Sequence, residues 1–402
     1  MIIDPLVVVA SALFFVDEAA PDLLVIEQTL LIPEGNLIWG DGQLRLHPKL
    51  MAQAVAGGRK DTDQPWASDP SWGGVAGVEA RWSPIREQLY TAEILGGAIV
   101  NSSTPKYEDW RGLVRLTWQR ASPMLNLQAH GVLRLDQQEL VYAAQNIRLI
   151  QRELGIGCVH QGRSLQVDSA VVVRNERYFD DGAVGEGNRR NWSGLSIPVN
   201  LGWQTGSRLR WTLAPGFESY TFESDSDNPN GVVTRLTAGG GMQPLDHWHI
   251  DVGLGFAWWT WQTTYADNPA WGGKQLVVPE SHLNIRWDFS EHDVLTLSAS
   301  QGSQPGVSAT TVAVERAAVQ EEHHFDRRWR ITGECSVIRV NDQEGRFDEP
   351  EQRHGISGIM AVDYLHQQGW RLRWFGSADA SRMLYGISYD RWASGVQSFL
   401  IW

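Results

Sequence analysis

The chain runs to 402 residues, with 42% hydrophobic and 20% charged residues, a formal charge of −13 and 20 tryptophans. That acidity excludes a general nucleic-acid binder, because neutralising phosphates takes clustered Lys and Arg. Two cysteines, Cys158 and Cys335, make neither a disulfide framework nor a metal pattern, and no apolar run approaches the roughly 18–20 residues of a transmembrane helix.

Residues 1–42 are expected to form an N-terminal extension. "LVVVASALFFV", residues 6–16, has the length of a signal-peptide apolar region, but the preceding "MIIDP" carries Asp4 and no Lys or Arg. Two readings stay open: a degenerate signal-like segment, or a periplasmic or plug segment. From residue 43 onwards helix periodicity is scarce and two-residue alternation takes over. Residues 207–221 set Leu209, Trp211, Leu213, Pro215 and Phe217 against Arg208, Arg210, Thr212 and Glu218. Residues 247–262 set Trp248, Ile250, Val252, Leu254, Phe256 and Trp258 against His247, His249, Asp251, Gly253, Gly255 and Ala257. The same alternation places Arg286 and Asp288 opposite Ile285 and Trp287, Arg328, Arg330 and Glu334 opposite Trp329 and Ile331, and Arg371 and Arg373 opposite Trp370, Leu372 and Trp374.

Between these runs lie eight tight polar turns, seven of them flanked by aromatic residues, such as "RWSPIREQL", "GWQTGSRLRW" and "LHQQGWRLRW". They alternate with longer connections rich in Asp, Asn, Gly and Pro, carrying acids such as Asp180, Asp181, Asp225, Asp227, Asp348, Glu349 and Glu351. Tight turns at one end and long polar loops at the other are the asymmetry of an outer-membrane barrel. Eight hairpins supply 16 strands, and residues 43–56 and 391–402 add one each, so residues 43–402 are expected to form one antiparallel up-and-down transmembrane β-barrel of 16–18 strands. Alternation alone fits a soluble sandwich, propeller or β-helix as well. Three features favour the barrel: candidate strands longer than the roughly 9–11 residues needed to cross a bilayer, Trp beside the turns, and a polar face too charged for a dry core.

"LRLHPKLMAQAVAGG" (44–58), "LRWTLAPGFESYTFESDSDNPNGVVTRLTAGGGM" (209–242) and "VLTLSASQGSQPGVSATTVAVERA" (294–317) carry a resemblance. They resemble the opening strand, central hairpin and late strand pair of a family of outer-membrane barrels associated with exopolysaccharide or exosortase loci in Gram-negative-type bacteria. The final "SGVQSFLIW" is similar to an outer-membrane C-terminal signal, with Trp402, Leu400 and Val396 fitting it. The resemblance spans roughly residues 43–402 and is a strand grammar. It implies a barrel in the outer membrane, assembled by the barrel-assembly machinery through its last strand, and porin-like or export-associated. It supplies no active site.

Chemistry motifs are sparse. "DSDNPNG" (225–231) offers Asp225, Asp227, Asn228 and Asn230 as oxygen ligands, without the rest of a calcium loop. His247 and His249, and Glu321, Glu322, His323 and His324, fall short of the three or four converging ligands of a zinc site. With no G-x-S-x-G, H-E-x-x-H or P-loop, neither enzyme activity, a metal nor a cofactor is expected, although a serine and a histidine from neighbouring strands could still assemble an outer-membrane enzyme. The arginines are the main signal: Arg208, Arg210, Arg286, Arg328, Arg330, Arg371 and Arg373 lie near tight turns on the polar face. They are expected to line the lumen towards a periplasmic mouth and to attract anionic or sugar-like solutes, with Trp259 and Trp261 stacking on sugar rings nearer the outer end. A competing reading pairs them with Glu218, Asp251, Glu334 and Asp168, merely bracing the wall. A non-conducting barrel anchoring surface polysaccharide or a partner protein is the alternative to a channel.

Overall fold

Alternation with period two turns each run into a strand with two unlike faces, and such a strand must hide its backbone groups by pairing on both edges. The computed structural model describes residues 37–39, 44–61, 65–68, 70–85, 87–101, 109–140, 145–179, 191–222, 230–261, 275–305, 311–342, 352–366, 370–383 and 388–401. In chain order the strands are β1 (Leu37–Trp39), β2 (Leu44–Asp61), β3 (Ala67–Ser68), β4 (Ser71–Trp82), β5 (Gln88–Asn101), β6 (Asp109–Ala121), β7 (Leu125–Leu140), β8 (Gln145–Gln161), β9 (Leu165–Phe179) and β10 (Trp192–Gln204). There follow β11 (Leu209–Phe222), β12 (Gly231–Met242), β13 (Trp248–Trp261), β14 (Gln275–Asp288), β15 (Asp293–Gln304), β16 (Val312–His324), β17 (Trp329–Asp342), β18 (Gln352–Leu365), β19 (Trp370–Met383) and β20 (Tyr389–Ile401).

Apart from β1 and β3, two short strands along β2, each strand pairs antiparallel with the next, and β20 closes on β2 from Lys49↔Ile401 to Asp61↔Tyr389. The result is a closed barrel of 18 strands, as the turn count predicts, with no helix among the described residues. Closure leaves no barrel strand without a neighbour on either side, the condition a sheet must meet in hydrocarbon. β2 begins and β20 ends at the tight-turn rim. Of the expected N-terminal extension only Leu37–Trp39 is described; the rest, and the acidic long-loop residues named above, lie outside the described residues.

Cross-strand partners share a face, so the pairing assigns every side chain to the inside or the outside. The large exposed hydrophobic residues of the described barrel strands all fall on the outer side, among them Leu154, Ile156, Leu254, Val277 and Met360. Leu254 is 68% exposed, whereas Gly253 beside it on the inner side is buried. Soluble proteins rarely expose apolar patches beyond several hundred Å², and this belt encircles the molecule. It is the surface of a protein bathed in lipid, which rules out the soluble sandwich.

Aromatic pairs mark the turn-side edge of the belt: Trp82 with Tyr90 at 5.1 Å, Trp248 with Trp287 at 5.0 Å, and Trp329 with Tyr364 at 4.7 Å between ring centroids. Rings with one polar N–H or O–H suit a membrane–water boundary. The turns below use local chemistry. Gly206 takes φ of 149°, open to glycine alone. In the turn before β17, the Asp326 carboxylate accepts the N–H groups of Arg328 at 2.7 Å and Trp329 at 2.8 Å. Those two bonds hold the Asp326 carboxyl below the ordinary aspartate range.

Candidate functional site

The inner wall carries charges that would be untenable in a dry core. Arg330, Arg371 and Arg373, from β17 and β19, converge on Asp363 of β18, which is fully buried. Arg371 donates to Asp363 Oδ1 at 2.9 Å and Oδ2 at 2.5 Å, Arg373 Nε to Oδ1 at 2.8 Å, and Arg330 Nη2 to Oδ2 at 3.0 Å. Register explains the convergence: Arg330 and Arg373 both lie directly opposite Asp363. Arg330 also reaches Glu322 at 3.2 Å. A second network, on β2 and β4–β6, joins Lys49 to Glu79 and Glu93, and Arg115 to Glu93 at 3.4 Å. A third joins Glu153 to Arg174 at 2.5 Å and His130 at 2.9 Å.

At the long-loop end, one hairpin leaves the wall. β14 runs up to Gln275, but its pairing with β15 stops at Ser281↔Gln301, while β15 and β16 stay paired through Gln304↔Val312. Arg235 of β12 nevertheless donates to the Ser303 carbonyl of β15 at 2.9 Å. Three strand spacings along a wall amount to about 14 Å, beyond an arginine's reach, so the hairpin end must lean into the lumen. Its inward lean is fastened by Trp259 Nε1 to Ser303 Oγ at 2.9 Å, Trp261 Nε1 to Thr311 Oγ1 at 3.0 Å and Ser303 Oγ to Glu280 at 3.0 Å. Beneath it Arg235 is held between Glu218 and Glu280 and lies 5.6 Å from the Trp259 ring. Trp259 and Trp261 therefore face inward but stack on each other at 5.2 Å under the hairpin, 0% and 3% exposed. The expected stacking on sugars is corrected on this point: the rings pack in a small apolar cluster with Tyr220, Val233, Val278 and Ala313.

At the opposite, turn-side end, the inner faces of β8–β14 and their turns form a recess of about 630 Å³. It is lined by Arg163, Arg208, Arg210 and Arg286, with Asp251 as its one acidic lining residue. Gly202 and Gly241 make room for two of its charged groups, because a Cβ at 202 would lie 2.7 Å from the Arg210 guanidinium and one at 241 would lie 3.2 Å from the Asp251 carboxylate.

The arginines singled out in the sequence thus part company. Arg330, Arg371 and Arg373 share Asp363; Arg210 and Arg286 line the recess with Arg208, which pairs with Asp246 at 2.7 Å; Arg328 is exposed in its turn. Three of the four expected acidic partners differ. Glu218 pairs with Arg235, Asp251 with His282 at 2.8 Å and Glu334 with Arg316 at 3.1 Å; Asp168 alone faces an expected arginine, Arg210. Asp363, Arg235 and Glu280 escaped the sequence reading, although each lies on the polar side of a period-two run. Of the 225–231 loop only Asn230 and Gly231 are described, and Asn230 Oδ1 accepts the Phe222 N–H at 2.8 Å. His249 lines the recess, while His323 and His324 pair with Asp293 and Glu322. Among the described residues no three His, Cys, Asp or Glu side chains are grouped to hold a metal.

No protein-family model matches the chain, and no curated protein sequence does either. Solved structures do match. OccK2 (OpdF) of Pseudomonas aeruginosa superposes with a TM-score of 0.50 at 12% identity, covering 89% of this chain and 98% of that one. OccAB3 of Acinetobacter baumannii gives 0.50 at 11% identity, covering 89% and 99%. The FrpB iron transporter of Neisseria meningitidis gives 0.51 at 8% identity, covering 86% of this chain and 62% of that one. These neighbours are outer-membrane channel barrels, and at such low identity the likeness extends to the fold alone.

Proposed function

We propose that the protein is a porin-like channel of the outer membrane, passing anionic or sugar-like solutes, and has no catalytic role. One observation carries the reading: a closed 18-strand wall whose outer face is apolar and whose inner face is charged. Barrels of about 16–18 strands leave room for water, and only a wet lumen tolerates so many inward ions. Four arginines line the recess, and the N–H donors left over by Arg210 and by the paired Arg208 and Arg286 support an anionic solute. The sequence resemblance to barrels of exopolysaccharide loci supports a saccharide.

The inward hairpin favours a second reading, a barrel that does not conduct and instead anchors surface polymer or a partner. Single-channel recording on the refolded chain separates the two. Discrete current steps with a reversal potential on the anion side are the expected result. Silence across many insertions would overturn the channel, and cation selectivity unchanged in Arg210→Gln and Arg286→Gln would overturn the anionic solute.

A further inference from the structure

We propose that the turn-side recess is a binding site for an oxyanion-bearing carbohydrate, a sugar carrying a carboxylate or a phosphate. This deepens the channel reading and rests on it for its biological sense, though not for its chemistry. The arginines here differ from those around Asp363, which all turn their donors on one buried carboxylate. Arg208 and Arg286 are each 53% exposed and hold a single acid, Asp246 and Asp288. Arg210 is exposed and makes no hydrogen bond with any described residue, facing Asp168 only through space. A guanidinium has five N–H donors in a planar fork, so most of theirs stay available to the lumen. That fork matches carboxylate and phosphate oxygens in pairs.

The rest of the lining speaks for a sugar rather than a bare anion. Gln161, Gln166, Gln204 and Asn284 bring carboxamides to the same recess. Each can donate and accept at once, which hydroxyl groups require and chloride or acetate does not use. Asp251, oriented by His282 at 2.8 Å, adds a fixed acceptor. The Arg210 guanidinium and the Asp251 carboxylate lie close against Gly202 and Gly241, and the volume falls in the usual small-ligand range of roughly 300–1,000 Å³. The recess opens at the turn-side mouth, away from the inward hairpin, so a ligand from that side meets it without passing the hairpin.

Isothermal titration of the refolded full-length barrel in detergent tests the site, with galacturonate, glucose 6-phosphate, galactose and acetate as probes. The chain is compared with Arg210→Gln/Arg286→Gln and with Gly202→Val, which keeps every charge but pushes the Arg210 guanidinium from its place; a heat-modifiability gel selects folded protein. One acidic sugar should bind at one per barrel, with galactose and acetate about tenfold weaker or worse, and both variants should weaken it by about tenfold or more. Which acidic sugar binds identifies the oxyanion. Acetate binding as well as the acidic sugars, variants that bind like the parent, or no binding of either acidic sugar would each overturn the site. Conductance is read separately: binding by a silent barrel supports the site and removes the channel, and a conducting barrel without binding does the reverse.

Discussion

Replacing Asp363 by Asn removes one negative charge from the tightest ion cluster of the wall. Asp363 is 0% exposed, and the arginines that meet it are 12%, 8% and 12% exposed at their side chains. Its carboxylate accepts from all three at 2.5 to 3.3 Å, so the amide both loses charge and turns an N–H group towards a guanidinium. The three cations then face Glu322 as their nearest remaining acid, through Arg330 alone. Breaking a buried pair in this way costs about 3–5 kcal/mol, roughly a hundredfold or more in the folding equilibrium. The exposed pair Arg208–Asp246, at 53% and 77% exposure, serves as the control; Asp246→Asn should cost only about 0–1 kcal/mol. Urea unfolding of the barrel refolded in vesicles, followed by tryptophan fluorescence, gives both numbers. Adding Arg371→Gln to Asp363→Asn should recover part of the loss, because it removes one of the stranded cations. Equal losses for Asp363→Asn and Asp246→Asn, or a double variant worse than the sum, would refute the argument.

Leu254→Arg places a charge at mid-height on the outer face and should cost about 2–4 kcal/mol in vesicles, while Ser298→Arg, on the inner face, should fold with little loss; the reverse order would mean the faces are exchanged. Trp259→Ala empties a fully buried site and should destabilise by about 3–5 kcal/mol. It also removes the donor that fastens Ser303, so unitary conductance should rise if the barrel conducts; an unchanged conductance means the hairpin does not narrow the path. The depressed pKa of Asp326 sets a pH dependence. Because its carboxylate is favoured in the folded state, its contribution is present above the unfolded value of about 4 and disappears as pH falls through the lower folded value. Asp326→Ala should therefore unfold earlier than the parent near neutral pH, with the two midpoints converging in acid; a constant gap would contradict the turn's two N–H bonds.

The two faces of each strand, the alternation of tight turns and long loops, and from these the number of strands are all legible in the order of the residues. All three are local properties: period two follows from the backbone's pleat, and the turns are written in Gly, Pro, Asp and Ser over a few residues. Alternation sets Arg330, Arg371 and Arg373 on the polar side of their strands but cannot choose their partner. Asp363 meets Arg330 and Arg373 only through the register of β17, β18 and β19, and register is a relation between strands that no single run records. The same limit hid the inward hairpin, since Ser303 and Ala313 continue strands whose alternation gives no notice that β15 parts from β14 above Gln301. That departure, rather than any property of Trp259 and Trp261 themselves, buries the two rings. Tertiary structure decided these contacts because ion pairs and packing act over a few ångströms in space, between residues that the chain keeps tens of positions apart.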